Sequence, residues 1–314
     1  MSVSAQVDLS GPALIDVIAE GLSRSFKELP ARVLYDETGS RLFEEITRLP
    51  EYYPTEAERA LLVDCASEVF AMSQARTLVE FGAGVQDKTG LLIEAGTSFG
   101  SLACYQPIDI SSEVLVESAQ SMGRVYTGLD IQPVVGDFTT YIALPESPRP
   151  RLTCFLGGTI GNLHPVERFE FFNRMGQMTG TGGYMLVGTD LLKDVERIIR
   201  AYDDSEGVTA RFLLNVVDVL NSECDTNLDK DDFDYVPLWD ALENRMDLRL
   251  RSRREQNFAI RDQGIRLAAG EEIRIEVSTK FTLEQVREEF ESAGLQVEHQ
   301  FRNDDFALTL ARVG

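Results

Sequence analysis

Histidine is nearly missing from this chain. Its 314 residues contain two, His164 and His299, together with four cysteines and one tryptophan. Two histidines exclude a catalytic or metal cluster built on that residue, and no metal is expected. The cysteines, Cys65, Cys104, Cys154 and Cys224, are far apart and form no C-x-x-C pair. That removes a zinc or disulfide framework; Cys104 and Cys154 sit in apolar, strand-like runs and read as small core residues. No apolar run approaches the ~18 residues of a membrane span. The N-terminal MSVSAQVDLSG lacks a basic segment followed by an apolar stretch, so no signal peptide is expected and the compartment is expected to be cytoplasmic. Positive charge is scarce as well: 30 Lys and Arg face 52 Asp and Glu, for a net charge of -22. Such a field repels phosphate backbones and anionic lipid, so neither nucleic acid nor membrane is expected as a partner. The plain reading of the acidity is solubility, and the chain is expected to act as a monomer.

What remains is an ordinary globular composition, 43% hydrophobic and 26% charged, long enough for one large domain or a core plus a smaller partner. From residue 77 onward, short apolar runs alternate with helix-like segments. TLVEFGAG (77–84), CYQPIDIS (104–111), IQPVVGDF (131–138), RLTCFLGG (151–158) and GGYMLVGTD (182–190) read as strands, with helices between them. This predicts an α/β fold with a mostly parallel sheet covered on both faces, whose sites lie beyond the carboxyl ends of the strands. The alternation breaks at 194–223, which reads as helical. An acidic, loop-like stretch at 224–235 follows; its aspartates lack the central glycine and closing glutamate of a calcium loop. RMDLRLRSRREQNFAI (245–260) and EEIRIEVSTKF (271–281) then read as two half-buried antiparallel strands. The core pattern resumes near 282 with the capping-box spacing of Thr282 and Gln285, and two final strands. The expected division is a core of residues 61–193 and 282–314, and a second lobe of residues 1–60 and 194–281. The cleft between the lobes is the expected site.

Several residues are candidates for chemistry. EFGAG (80–84) lets the backbone approach a ligand, but it lacks the third glycine of a dinucleotide fingerprint and the Lys-Ser pair of a phosphate loop. Asp109 ends the next strand, where a carboxylate takes both hydroxyls of a ribose, in dinucleotide and S-adenosylmethionine enzymes alike. Asp137 and Phe138 end the third strand, suited to an adenine amino group and its ring. Lys88 opens the helix after the glycines. The turn FLGGTIGN (155–162) offers a backbone carbonyl to an amine and the Asn162 side chain to a carboxylate. Tyr52 and Tyr53 precede a proline, as tyrosines do where a polar tip meets an apolar wall. Glu276 and Ser278 share one face of a strand and can read two ring nitrogens of an imidazole. Each has a plain alternative: an ordinary turn, a packing contact or a solvated strand face.

LYDETGSRLFEEITRLPEYYPTEAE, EFGAG, FLGGTIGNLHP, YDDSEGVTARFLLNV and EVSTKF together resemble the histidine Nα-methyltransferase family of ergothioneine biosynthesis, from about residue 20 to 312. The resemblance implies a Rossmann-like, seven-stranded methyltransferase core with a second, substrate-binding lobe. It implies successive methylation of the α-amine of L-histidine by S-adenosylmethionine, giving the trimethylated betaine, with a small-molecule amino acid as the partner. Tyr35, Gly82, Lys88, Asp109, Asp137 and Phe138 are implied to hold the cofactor. Tyr202 and Asn162 would take the substrate carboxylate, the Gly157 backbone the amine, and Tyr52, Glu276 and Ser278 the imidazole, with Met246 lining the pocket. Tyr52, Gly157 and Asn162 are the residues nearest the chemistry. Two features depart from the family pattern: GAGVQDKT lacks small hydroxyl residues after the second glycine, and the C-terminal HQFRNDDFAL lacks a tryptophan. Relatives acting on other aromatic amino acids keep the cofactor residues. The competing classes are an oxidoreductase using NAD, permitted by Asp109, and a binding protein without turnover.

Overall fold

The computed structural model describes residues 12–83, 88–110, 112–137, 140 and 142–314. The chain forms two compact units, each assembled from separated segments. Unit one comprises Pro54–Leu191 and Phe281–Gly314; unit two comprises Leu192–Lys280 with the described residues up to Tyr53.

Unit one is a central sheet whose first strand in the chain, Thr77–Phe81, lies between Cys104–Asp109 on one side and Arg151–Phe155 on the other. All three run parallel, as does Tyr184–Asp190 beyond Arg151–Phe155. The C-terminal hairpin closes that edge: Phe306–Val313 pairs antiparallel with Tyr184–Asp190, and Leu295–Arg302 pairs antiparallel with Phe306–Val313. At the other edge the expected third strand is broken at Gln132 and Pro133. Asp130–Ile131 and Val134–Val135 each pair with Cys104–Asp109. Proline cannot donate to a ladder, so the interruption falls where an edge tolerates it. The two fragments share one position, and among the described residues the sheet has seven. Thr77–Phe81 and Arg151–Phe155 are buried at every residue, the mark of a parallel strand covered on both faces. Cys104 and Cys154 are buried within these strands and, like Cys65 and Cys224, carry free thiols.

Local sequence sets the helices around the sheet. Pro54 and Pro165 open Pro54–Ser73 and Pro165–Thr179, where the missing N–H has no partner to lose. Gly100, at φ +82°, ends Thr89–Phe99. Thr282 caps Leu283–Ser292 by accepting from the Gln285 N–H at 3.1 Å. The return half of the expected capping box is replaced: the Gln285 side chain donates to Glu289 at 3.1 Å.

Unit two joins helices Val195–Tyr202 and Val208–Cys224 to an antiparallel sheet of Glu272–Thr279, Arg245–Ser252 and Phe233–Asp240, with Lys27–Glu28 alongside Glu272–Thr279. Two expectations change here. The run 245–260 is two strands, because the chain turns at 253–255 and Gln256–Ile260 pairs instead with Gln263–Leu267. The acidic stretch 224–235 is a loop only at first; Phe233–Asp240 is a full strand against Arg245–Ser252. Its carboxylates hid the pattern because they face arginines across the ladder: Asp234 lies opposite Arg251 and accepts from Arg253 at 2.6 Å. Among the described residues no helix is long and apolar enough to cross a membrane.

Candidate active site

In unit one the parallel strands end side by side, with Phe81 in register with Ile108 and Phe155, and Asp109 with Val135. Gly82, Asp109, Asp137 and Gly157 therefore follow one edge of the sheet. Gly82 has φ +68°, and a Cβ there would meet nothing within 4 Å, so backbone conformation, not crowding, calls for glycine. Its N–H donates to Ile108 O at 2.9 Å, and Gly136 N–H to Asp109 O at 3.0 Å. These two bonds hold the ends of three strands in fixed relation. Asp137 is buried. Phe138 and the second glycine, Gly84, lie outside the described residues.

The Gly157–Gly158 turn has φ +84° and +69° in succession, which is why two glycines stand there. It is held from below by Glu58, a side chain without solvent exposure on Pro54–Ser73. Gly157 N–H donates to both Glu58 carboxylate oxygens, at 2.9 and 2.8 Å. Lys88 Nζ donates to the same carboxylate. A Cβ on Gly188 would stand 2.1 Å from Glu58 Oε1, so that glycine leaves room for the carboxylate. Glu80, inside the first strand, is another buried acid. It accepts from Thr89 Oγ1 and Tyr105 OH, each at 2.5 Å, tying the following helix to the sheet. Burial pushes its carboxyl up to about 7, against the pull of those two hydrogen bonds. Asn162 closes the short helix Thr159–Asn162 that follows the glycine turn.

In unit two, Glu276 and Ser278 are buried, 9% and 7% exposed, so the solvated-face alternative falls away. The half-buried pattern holds only to Ile275. A register shift between Arg274 and Glu276 follows, and every residue from Ile275 to Thr279 is buried. Burial raises the Glu276 carboxyl to about 7, with Lys280 acting in the opposite sense. Met246 is fully buried and lies directly across from Ser278. Tyr202 OH and Ser278 Oγ are 2.7 Å apart. The Tyr52 ring meets Tyr202 edge-on at 6.1 Å, and Phe43 at 6.3 Å. Tyr35 joins the same aromatic group through Phe43 at 5.8 Å and Phe212 at 5.7 Å.

The expected residues thus gather in two sets. Gly82, Lys88, Asp109, Asp137, Gly157 and Asn162 belong to unit one; Tyr35, Tyr52, Tyr202, Met246, Glu276 and Ser278 belong to unit two. Tyr35, implied among the cofactor contacts, is placed in the second set. Three residues escaped the sequence reading. Glu80 had a signal, an acid inside an apolar strand run. Lys280 had one too, since it continues the period of Glu276 and Ser278 by one step. Glu58 had none, because nothing marks one glutamate on a charged helix as buried. The strand-end chemistry suits S-adenosylmethionine: carboxylates at Asp109 and Asp137 match a ribose diol and an adenine amine and would repel a phosphate. Lys88, at this edge, is matched by Glu58. Among the described residues no group of three or more His, Cys, Asp and Glu is arranged to hold a metal ion.

A family model described as histidine-specific methyltransferase, SAM-dependent, matches residues 14–313. The histidine N-alpha-methyltransferase of Mycolicibacterium smegmatis is 40% identical over 308 residues, covering 97% of this chain and 96% of that protein. The protein of the same name from Mycobacterium tuberculosis is 41% identical over 299 residues, covering 94% and 93%. The ergothioneine biosynthesis protein 1 of Neurospora crassa is 31% identical over 194 residues, 60% of this chain and 22% of the fungal protein.

Proposed function

The chain belongs to the family of histidine-specific, S-adenosylmethionine-dependent methyltransferases, and on that footing we propose that it methylates the α-amine of L-histidine successively to the trimethylated betaine, a step of ergothioneine biosynthesis. Unit one serves as the cofactor-binding core and unit two as the substrate-binding lobe. Two relatives at 40 and 41% identity, matched along nearly their whole length, carry that activity in their names. The observation that carries the substrate half is the buried pair Glu276 and Ser278. A carboxylate and a hydroxyl held side by side on one buried strand face are suited to read the two ring nitrogens of an imidazole.

The cofactor, when bound, supplies an electrophilic methyl group on a sulfonium sulfur. Asp109 receives the ribose hydroxyls, and Asp137 with Phe138 receives the adenine. Lys88 serves the cofactor carboxylate. The remaining work belongs to positioning, since a displacement at carbon gains most from alignment. Tyr202 and Asn162 hold the substrate carboxylate, and Glu276 and Ser278 fix the ring, with Met246 and Tyr52 walling it. The Gly157 N–H is committed to Glu58, which leaves its carbonyl as the group that accepts from the substrate amine. The amine must present a lone pair, so it reacts in the neutral form, and Tyr52 is the side chain assigned to proton loss. The four unbridged thiols accord with a reducing, cytoplasmic compartment. The test is incubation with S-adenosylmethionine and a panel of free amino acids, read by product mass. Histidine should gain up to three methyl groups; a panel in which histidine stays unmodified overturns the proposal.

A further inference from the structure

Just past the end of Glu272–Thr279, Lys280 continues the two-residue period of Glu276 and Ser278 by one step. It is 1% exposed. Its ammonium lies 2.7 Å from Tyr202 OH and 2.8 Å from Ser278 Oγ, and those two oxygens are 2.7 Å from one another. Each of the three groups is within hydrogen-bond distance of the other two. Their backbones are held independently: Lys280 N–H donates to Asn244 O at 2.8 Å, and Tyr235 OH donates to Tyr202 O at 2.7 Å.

Proton counting makes this arrangement directional. An ammonium only donates, so Lys280 gives one hydrogen to Tyr202 and one to Ser278. The contact between the two hydroxyls uses one of their two hydrogens, and the other points out of the trio. A carboxylate only accepts. When Tyr202 turns its hydrogen to a carboxylate, Ser278 must give its own to Tyr202, and the Ser278 oxygen is left as an acceptor for a ring N–H. A phenol oxygen that accepts from a cation is also a stronger donor than one that does not. A buried ammonium further favours an anion brought next to it, because little water intervenes.

We propose that Lys280 is a positioning residue for the substrate carboxylate, acting through the Tyr202 hydroxyl that it orients and polarises. The inference rests on the assignment of Tyr202 to that carboxylate. It adds that discrimination between an amino acid and the corresponding amine originates in a residue that does not itself touch the substrate. It also fixes Ser278 as the acceptor, not the donor, in its bond to the ring.

The experiment compares histidine with histamine, which keeps the ring and amine and lacks the carboxylate. Dissociation constants are measured by calorimetry with S-adenosylhomocysteine present, for wild type, Lys280→Met, Tyr202→Phe and the double variant. Wild type should favour histidine. Lys280→Met should weaken histidine roughly 10- to 100-fold, the range of a lost charge-assisted hydrogen bond, and leave histamine within about twofold. In the Tyr202→Phe background the same change should add little, since its route is gone. Equal weakening of both ligands, or full additivity in the double variant, overturns the inference and makes Lys280 a structural tie. If Lys280→Met does not fold, Lys280→Gln keeps one hydrogen bond without the charge, and the same histidine-selective loss decides. Wild type binding the two ligands equally removes the Tyr202 assignment and the inference with it; wild type binding neither refutes the proposed substrate.

Discussion

Glu276 holds a proton that a solvated glutamate would have released. Its carboxyl sits at about 7 because burial outweighs the pull of Lys280. Between its ordinary value near 4.5 and about 7, the folded state binds more protons than the unfolded chain. Folding stability contributed by this group therefore falls as pH rises through that window, and the cost is complete above it, at about 3 kcal/mol. Glu276→Gln removes the titration. Its melting temperature relative to wild type should climb between pH 5 and pH 8; a difference that stays constant would show that Glu276 does not titrate there. Glu80 shifts in the same direction, so the variant abolishes only part of the slope. Gly188 gives a second prediction. Alanine there would drive a methyl group to 2.1 Å from Glu58 Oε1 and displace the carboxylate that holds Gly157 and Lys88. Affinity for S-adenosylhomocysteine should fall by about tenfold, with a loss of about 1–3 kcal/mol in stability. Unchanged cofactor affinity in a folded variant would detach Glu58 from the binding edge.

Helices and strands differ in how far the sequence disclosed them. The parallel strands of unit one were legible because burial on both faces demands near-continuous apolar runs, and the capping and proline signals of their helices are local. The sheet of unit two was harder to read, because its strands are laced by ion pairs that look like loop chemistry in one dimension. Arg249 and Arg274 both meet Asp247, Arg251 meets Glu272, Arg253 meets Asp234, and Arg254 meets Asp232. The arginines of RLRSRRE find their partners at Asp247 in the same strand, in Phe233–Asp240 and Glu272–Thr279, and at Asp232 just before Phe233. Asp247 is the fully buried member. Burial alone would raise its carboxyl, but the hydrogen bonds from Arg249 and Arg274 outweigh it and hold the group at about 2. The stability it lends is present above its ordinary value near 3.8 and is lost as pH falls toward about 2. Asp247→Ala leaves two guanidinium groups around an empty site and should cost about 3–5 kcal/mol in chemical denaturation at pH 7. A loss below about 1 kcal/mol would class the cluster with exposed pairs, which contribute little. The substrate-side residues were readable as types, from a strand face two residues apart. Their burial was not, because it depends on the register shift after Arg274.

Across the whole molecule the acidic excess opposes compactness, since a net charge of -22 repels itself. Raising salt from about 10 mM to about 150 mM shortens the screening length from roughly 30 Å to roughly 8 Å. That weakens diffuse repulsion more than it weakens the short, partly buried pairs. The melting temperature should therefore rise with added sodium chloride; a fall would mean that the ion pairs of unit two dominate. The division into two units has a consequence for synthesis. Lys27 pairs with Ile273, and Glu28 with Arg274. At about 5–20 residues per second, a ribosome needs roughly 10–50 s to travel from one partner to the other. Through most of that interval the early segment carries Ile18, Leu22, Leu29, Val33 and Leu34, all core residues of unit two, without the full set of strands and helices that will cover them. Unit one also waits for its closing hairpin, but most of its sheet is complete by residue 190. The N-terminal segment is thus made long before the last strand that covers it, and while nascent it is a client for whatever shields apolar chain near the ribosome.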